Sequence, residues 1–299
     1  YGFMSVRHAI FALIICSIWG VNFTVMKIGL MQIDPYLFGF LRFSIVFLLL
    51  LPWLKIVPGM MIKLFLLGNL IGGFQFALVF LAMDMTNHVS AMSVVVQLNI
   101  PITLIMAHFF LFERMSYWRT SGVLISFLGV LIITLEPEIL EEGIVILIVV
   151  GATTMYSIGV IMMRKMASIN VFQTQAWVAF FSVPIFFIMT LIFESGQIEQ
   201  ALNIDLIGIL MVLYTSILAS IVGYGGINYL LKLYPVTLIS PFMVSVPIFA
   251  TIGSVTFLNE ILSVKFILGA LVTLVGLGII HYRDWQLKRH LKVISNEGA

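Results

Sequence analysis

Ten apolar stretches occupy most of the chain: 8–31, 36–54, 62–83, 89–112, 117–135, 142–163, 171–193, 206–231, 236–258 and 263–282. A bilayer core of about 30 Å is crossed by about 20 apolar residues wound as a helix. In hydrocarbon every backbone N–H and C=O must be satisfied inside the spanning structure, which leaves helices and closed barrels. These runs lack the alternation of barrel strands and are about twice as long as a spanning strand. The expected fold is therefore an all-α membrane protein of ten transmembrane helices. Composition agrees: 62% of residues are hydrophobic and 9% charged, against about 25% charged in a soluble domain.

The connections are short and carry helix-breaking pairs: Asp34-Pro35, Pro58-Gly59, Glu136-Pro137, Ser195-Gly196 and Tyr234-Pro235. None is long enough to form a soluble domain. The first run is too long for the core of a signal peptide and many more follow it, so no cleaved leader is expected. Tyr1, Gly2 and Phe3 precede Met4 and are left out of the fold reading. The one cysteine, Cys16, lies within an apolar run. That excludes an internal disulfide and argues against a metal cluster, and a small buried hydrophobe is the expectation.

Half the chain repeats the other half. Asn99-Ile-Pro101-Ile-Thr103 leads through apolar residues to Glu113 and Ser116, then Gly122 and Gly129. Ser245-Val-Pro247-Ile-Phe249 leads to Glu260 and Ser263, then Gly269 and Gly276. Glu113 and Glu260 are 147 residues apart, as are the serines and both glycine pairs, and only the proline slips by one. Such a period marks a duplicated unit, expected as repeats over 1–139 and 140–285, with a basic tail over 286–299.

Lys and Arg set the direction of the spans. With the N-terminus in the cytoplasm, Arg7, Lys55, Lys63, Arg114, Arg119, Arg164, Lys165, Lys232 and the basic residues of 283–292 all fall inside, and only Lys27 and Lys265 fall toward the outside. Asp34, Glu138, Glu141, Glu142, Glu194, Glu199 and Asp205 fall outside. Both termini are thus expected in the cytoplasm. Five crossings per repeat invert the second copy, an arrangement typical of secondary transporters.

These residues resemble the drug/metabolite transporter superfamily, specifically its ten-helix EamA branch. The resemblance is carried by Trp19-Gly-Val-Asn22 with Lys27, by Leu41-Arg42-Phe43, and by the paired proline, E-x-x-S and glycine segments. Residues 19–30, Phe74-Gln-Phe-Ala-Leu-Val-Phe80 and Ala219-Ser-Ile-Val-Gly-Tyr-Gly225 look closer to the bacterial cysteine and O-acetylserine exporters. The resemblance implies a two-repeat basket of helices around a central cavity, an inner-membrane location, and export of amino acids or related metabolites.

Polar residues inside spans are costly and functional by default. Arg42 has a functional reading, a charge-assisted hold on a substrate carboxylate, and a structural one, snorkelling or pinning a neighbouring backbone. Asn22 is deep enough to face a cavity, whereas Lys27 lies near a span end. In span 4, Ser90, Gln97, Pro101 and His108 fall near one stripe, with Asn99 and Thr103 nearby. Pro101 leaves the carbonyl of Gln97 without its helical donor, Pro247 that of Met243 and Pro241 that of Thr237. Paired broken helices are the best sequence pointer to a transporter's central site, so Pro101 and Pro247 are the expected hinges. Gln75, with Asn69, and Tyr214, Ser216, Ser220, Tyr224 and Asn228 supply matching polar faces, while Trp19, Tyr156 and Trp177 supply aromatic surface.

The expected substrate-binding set is therefore Asn22, Arg42, Gln75, Gln97, Asn99, Tyr156, Trp177, Tyr224 and Asn228. Glu113 and Glu260 read as closing turns, Ser116 and Ser263 as helix caps, and the four glycines as seams for close packing. No H-E-x-x-H, G-x-S-x-G, paired intramembrane aspartates or P-loop is present, so no enzyme, cofactor or metal is expected. The expected partners are a small-molecule substrate and the bilayer, not nucleic acid, in a monomer or weak homodimer. The leading function is alternating-access export of a small amino-acid-like metabolite. Transport of an aromatic amino acid, a nucleotide-linked metabolite or a cofactor precursor is the alternative, and an intramembrane enzyme a remote one.

Overall fold

The computed structural model describes residues 4–112, 116–164, 166, 169–234, 239 and 242–297, with the side chains of Leu111, Arg119, Arg164 and 281–297 excepted. Glu113, Arg114, Lys165, Pro235, Thr237 and Pro241 lie outside the described residues, and so does the side chain of Trp285. Among the described residues the chain is helices and short connections, with no strand. Seven helices are long and apolar enough to cross a membrane: Val6–Leu30, Pro35–Trp53, Met61–Met85, Val89–Phe110, Gly143–Met163, Val171–Phe193 and Leu206–Leu233. Three shorter apolar helices, Thr120–Thr134, Val246–Leu258 and Val264–Ile280, fall in the remaining expected stretches.

We label the elements the site needs as α1 (Val6–Leu30), α2 (Pro35–Leu50), α3 (Met61–Leu67), α4 (Phe76–Met85), α5 (Val89–Val96), α6 (Asn99–Leu111), α7 (Tyr117–Thr134), α8 (Pro137–Glu141), α9 (Gly143–Arg164), α10 (Val171–Phe193), α11 (Gln197–Asn203), α12 (Leu206–Leu213), α13 (Tyr224–Leu233), α14 (Val246–Leu258) and α15 (Val264–Glu297). Their starts follow local chemistry. Ser5, Asn170, Asp205 and Ser263 accept bonds from N–H groups in the first turns of α1, α10, α12 and α15, relieving donors that have no helical partner. Pro35 opens α2 and Pro137 opens α8, where a missing N–H costs nothing.

Two spans are interrupted by π-helix at corresponding places. Gly68–Gln75 joins α3 to α4, and Tyr214–Gly223 joins α12 to α13. Adding the repeat length of 147 to 68–75 gives 215–222. Extended π-helix is rare and clusters at functional sites. In the second segment the hydroxyls of Thr215, Ser216 and Ser220 all turn back onto backbone carbonyls, Ser220 Oγ reaching Thr215 O five residues earlier at 2.9 Å. Such back-bonding loosens a regular α-helix.

The four glycines of the repeated segments meet. A Cβ on Gly122 would lie 2.8 Å from Gly276 O, and one on Gly129 would lie 2.6 Å from Gly269 O. The reverse substitutions, on Gly276 and Gly269, would each press 2.7 Å onto the partner's carbonyl. α7 and α15 thus cross with their backbones in contact, as small-residue seams allow where lipid supplies no hydrophobic drive. The main apolar core lies elsewhere, around Phe38, Phe43, Phe80 and Phe186. Phe43 stacks on Phe186 at 5.4 Å and 16°, and Phe38 meets Phe80 edge-on at 5.4 Å.

One end of the bundle is tied together by carboxylates. Glu194 accepts from the N–H groups of Tyr36 and Leu37 at 2.6 and 2.9 Å, capping α2 from the end of α10. Glu142 accepts from Thr86 Oγ1 and from the Asn87 N–H. Gln200 donates to Asp34, Ser263 donates to Glu136, and Lys27 donates to the Asp84 carbonyl at 2.8 Å. Glu260 closes its own turn with its backbone N–H, which donates to Ser254 O at 3.3 Å, and its carboxylate in addition accepts from both the N–H and the hydroxyl of Ser90 at the start of α5. Asn259 takes the left-handed conformation in that turn, φ 55°, which frees the Glu260 side chain to reach the other repeat. Burial pushes the half-buried Glu194 carboxyl above its ordinary value, partly offset by the two N–H bonds from Tyr36 and Leu37.

Candidate functional site

Arg42 organises the interior. Eight residues into α2, it is 3% exposed. It neither snorkels nor pins a backbone: Nε and Nη2 donate to Ser220 Oγ at 3.3 and 3.0 Å. Since the Ser220 proton goes to Thr215 O, the oxygen is free to accept both. The guanidinium carbon lies 4.2 Å from the centre of the Phe76 ring, with Phe43 and Phe80 at 5.4 and 5.6 Å. Desolvated cation–π contact of this kind is worth about 2 kcal/mol, which helps to hold a charge inside an apolar bundle.

Beside it lies a cavity of about 450 Å³, within the range of about 300–1,000 Å³ usual for small-molecule sites. Seven of the expected binding residues line it: Asn22, Arg42, Gln75, Gln97, Asn99, Tyr156 and Tyr224. The rest of the wall is largely apolar and aromatic, with Trp19, Phe23, Met26 and Phe76 prominent. Trp19 is fixed by donating Nε1 to the Ala219 carbonyl at 2.9 Å and by a ring contact of 5.3 Å with Tyr224.

Two expected residues stand apart. Trp177 donates Nε1 to the Lys55 carbonyl at 2.9 Å and stacks on Phe181 at 5.6 Å, so it ties α10 to the 2–3 connection and does not line the cavity. α10 packs on α2 and on the π-segment Gly68–Gln75, outside the ring of helices that meet the cavity. Asn228 lies beyond Tyr224 on α13 and does not line it either. Tyr224 and Asn228 keep their i, i+4 register inside α13, so Asn228 lies one turn further along the helix, past the cavity; the π-segment ending at Gly223 alters only the phase of Ser220 relative to them. Asn69 likewise turns away, donating Nδ2 to Phe65 O at 2.6 Å.

The hinges also differ in detail from a simple proline break. The helix opens at 97–98 and again at 244–245, each just ahead of its proline. The Gln97 carbonyl is not left free: it accepts from the Ile100 N–H at 3.2 Å in a tighter turn. The Met243 carbonyl is the one without a helical donor, and the Gln97 side chain supplies it, Nε2 donating at 3.3 Å. The prolines themselves are buried and do not line the cavity. The break also splits the expected stripe in span 4, leaving Gln97 on the cavity, Ser90 under Glu260 and His108 exposed.

Of the two residues that hold Arg42, Ser220 stood in an expected polar face and Phe76 was visible only as the neighbour of Gln75. The Ser220 bond to Arg42 crosses 178 residues and has no local signature. Three residues that line the cavity each carry a buried polar atom with no partner: Arg42 Nη1, Asn22 Oδ1 and Gln75 Oε1. Among the described residues no group of three His, Cys, Asp or Glu side chains is placed to hold a metal ion. Cys16 is buried and donates to the Phe242 carbonyl at 3.2 Å.

Comparison with known proteins gives the same outline. The family model described as "EamA-like transporter family" matches residues 7–135 and 143–282. A probable amino-acid metabolite efflux pump of Escherichia coli (strain K12) is 28% identical over 288 residues, 92% of this chain and 95% of its own. An uncharacterized transporter of Archaeoglobus fulgidus is 28% identical over 278 residues, 88% of this chain and 95% of its own. A solved structure described only as "Crystal structure of protein" shares the fold, with a TM-score of 0.65 at 14% identity over 95% of this chain and 99% of its own.

Proposed function

The chain belongs to the EamA-like transporter family, and from that premise we propose that it moves a small amino acid or amino-acid-like metabolite through the Arg42 cavity by alternating access. The observation that carries the proposal is the cavity itself, lined by a guanidinium that keeps one nitrogen unpartnered and by two side-chain amides whose oxygens are unpartnered. A stable structural protein would satisfy such groups. The efflux pumps it resembles carry amino-acid metabolites by name, and outward movement across a bacterial inner membrane is the reading taken here.

In this proposal Asn22, Arg42, Gln75, Gln97, Asn99, Tyr156 and Tyr224 bind the solute, and the breaks ahead of Pro101 and Pro247 are the hinges. Ten spans form two inverted repeats, 1–139 and 140–285, ahead of the basic tail, with both termini in the cytoplasm. The repeats rock about the Gln97–Met243 contact. The aromatic lining favours a second reading of the substrate, an aromatic amino acid whose ring lies against Trp19 and Tyr156.

Counterflow in proteoliposomes tests both. The purified protein should exchange labelled L-cysteine or L-phenylalanine, and Asn22→Ala and Gln97→Ala should each cut the flux about tenfold, the effect of one buried hydrogen bond to an ionised ligand group. Unchanged flux in both variants would place the site elsewhere.

A further inference from the structure

The transport reading above is the footing for a statement about how the solute lies in the cavity. Asn22, Arg42 and Gln75 are 9, 3 and 8% exposed, and each carries a buried polar atom with no partner. Unpartnered buried polar groups are rare in native proteins and call for an explanation. Here they are of opposite sense. Arg42 Nη1 is a charged donor; Asn22 Oδ1 and Gln75 Oε1 are acceptors.

Arg42 has only one edge to offer. Ser220 Oγ takes Nε and Nη2, and Phe76 covers a face. Among the described residues the lining includes no Asp or Glu, so none of them gives the guanidinium a counter-ion on the cavity wall. The missing partner must therefore be anionic at one end and rich in N–H at the other. We propose that the cavity binds a zwitterion end to end, the ligand carboxylate accepting from Arg42 Nη1 and the ligand ammonium donating to Asn22 Oδ1 and Gln75 Oε1. Arg42 then acts as the specificity-determining residue for the carboxylate and the two amides for the ammonium. A phosphate dianion would bring two charges to a single guanidinium edge. A carboxylic acid without an amine would leave both amide oxygens unpaired. The apolar wall formed by Trp19, Met26 and Tyr156 meets the remaining side chain of the ligand.

The test uses the full chain in proteoliposomes loaded with labelled L-cysteine, kept reduced, or labelled L-phenylalanine. Each flux is competed with the parent amino acid, its methyl ester, which lacks the carboxylate, and its N-acetyl derivative, which lacks the ammonium. Both blocked forms should compete about 10- to 100-fold less well than the parent, the loss expected for one charge-assisted hydrogen bond. In Arg42→Gln the parent should lose its advantage over the methyl ester; in Asn22→Ala it should lose its advantage over the N-acetyl form. The competitor series on the unaltered protein stands even where the Arg42 variant fails to fold. If flux persists and the blocked forms compete as well as the parent, the end-to-end assignment is overturned and the transport reading survives. If neither amino acid is carried, both fall together.

Discussion

Gln97 donates its side-chain amide to the carbonyl of Met243 at 3.3 Å, 146 residues away. That separation is also the distance from Pro101 to Pro247, so the two residues hold the same place in the two repeated segments. The carbonyl that one proline leaves without a helical donor is satisfied from the other segment's break. Removing the amide strands a buried carbonyl, which costs about 1–3 kcal/mol, although hydrogen bonds inside membrane proteins average only about 0.6 kcal/mol. Gln97→Ala is expected to lower the melting temperature in detergent by a few degrees and flux by more than that stability loss explains. Paired melting and counterflow curves measure the two.

The glycine seam predicts a contrast between two neighbours. A Cβ at Gly276 presses on the Gly122 backbone, while one at Gly278 meets nothing within 4 Å. Gly276→Ala should cost about 1–3 kcal/mol, the usual penalty of overpacking where backbone cannot yield. Gly278→Ala should stabilise slightly or do nothing, by about 1 kcal/mol at most from helix propensity. Thermal melts of the two variants side by side separate these outcomes.

Glu260 predicts an effect on access. Its carboxylate holds the Ser90 N–H and hydroxyl, joining the connection between α14 and α15 to the start of α5. Glu260→Ala should loosen that end of the bundle. A cysteine introduced at Val96, on the cavity wall, should then react faster with an impermeant maleimide added from the side of the Ser90 end. Cys16 is fully buried and should contribute little background.

Glu194 predicts a pH dependence of stability. Its folded value is raised above the ordinary 4.5, mainly by burial. A carboxyl raised on folding stabilises most below its unfolded value, and that contribution is lost as pH rises through the folded one. Melting temperature should therefore fall across the window that begins near 4.5 and ends at the raised value. Glu194→Gln, whose single amide oxygen can still accept from one of the Tyr36 and Leu37 N–H groups, should flatten that part of the curve.

The helices were legible because span length and apolar content are properties of contiguous residues. Each expected stretch coincides with helix to within a few residues over its described part, from Val6–Leu30 to the start of α15. The glycine seam was legible for a related reason: its members recur at a fixed spacing. Site residues were legible where a polar side chain lay deep in a span, as with Asn22, Arg42 and Gln75. They were misplaced where helical register gives the face a residue takes but not how far along the cavity it lies. Asn228 keeps its register with Tyr224 on α13 but sits one turn beyond the cavity. Trp177 looked like cavity lining by aromatic character alone, yet its partner, the Lys55 carbonyl, is 122 residues away. The Glu260–Ser90 tie and the Arg42–Ser220 pair are likewise contacts between distant segments.

The paired π-segments bear on that register in another way. A residue added to or removed from a helical turn rotates everything beyond it by about 100°. Gln75 closes one of these segments and Tyr224 follows directly after the other, and both face the cavity. Each is therefore mounted on a collar of helix whose phase is set by a single residue's worth of winding. An insertion or deletion inside either collar would turn its polar group off the cavity wall while leaving the lipid-facing length of the span almost unchanged, so the chemistry of the cavity can be re-phased without redrawing the bundle that encloses it.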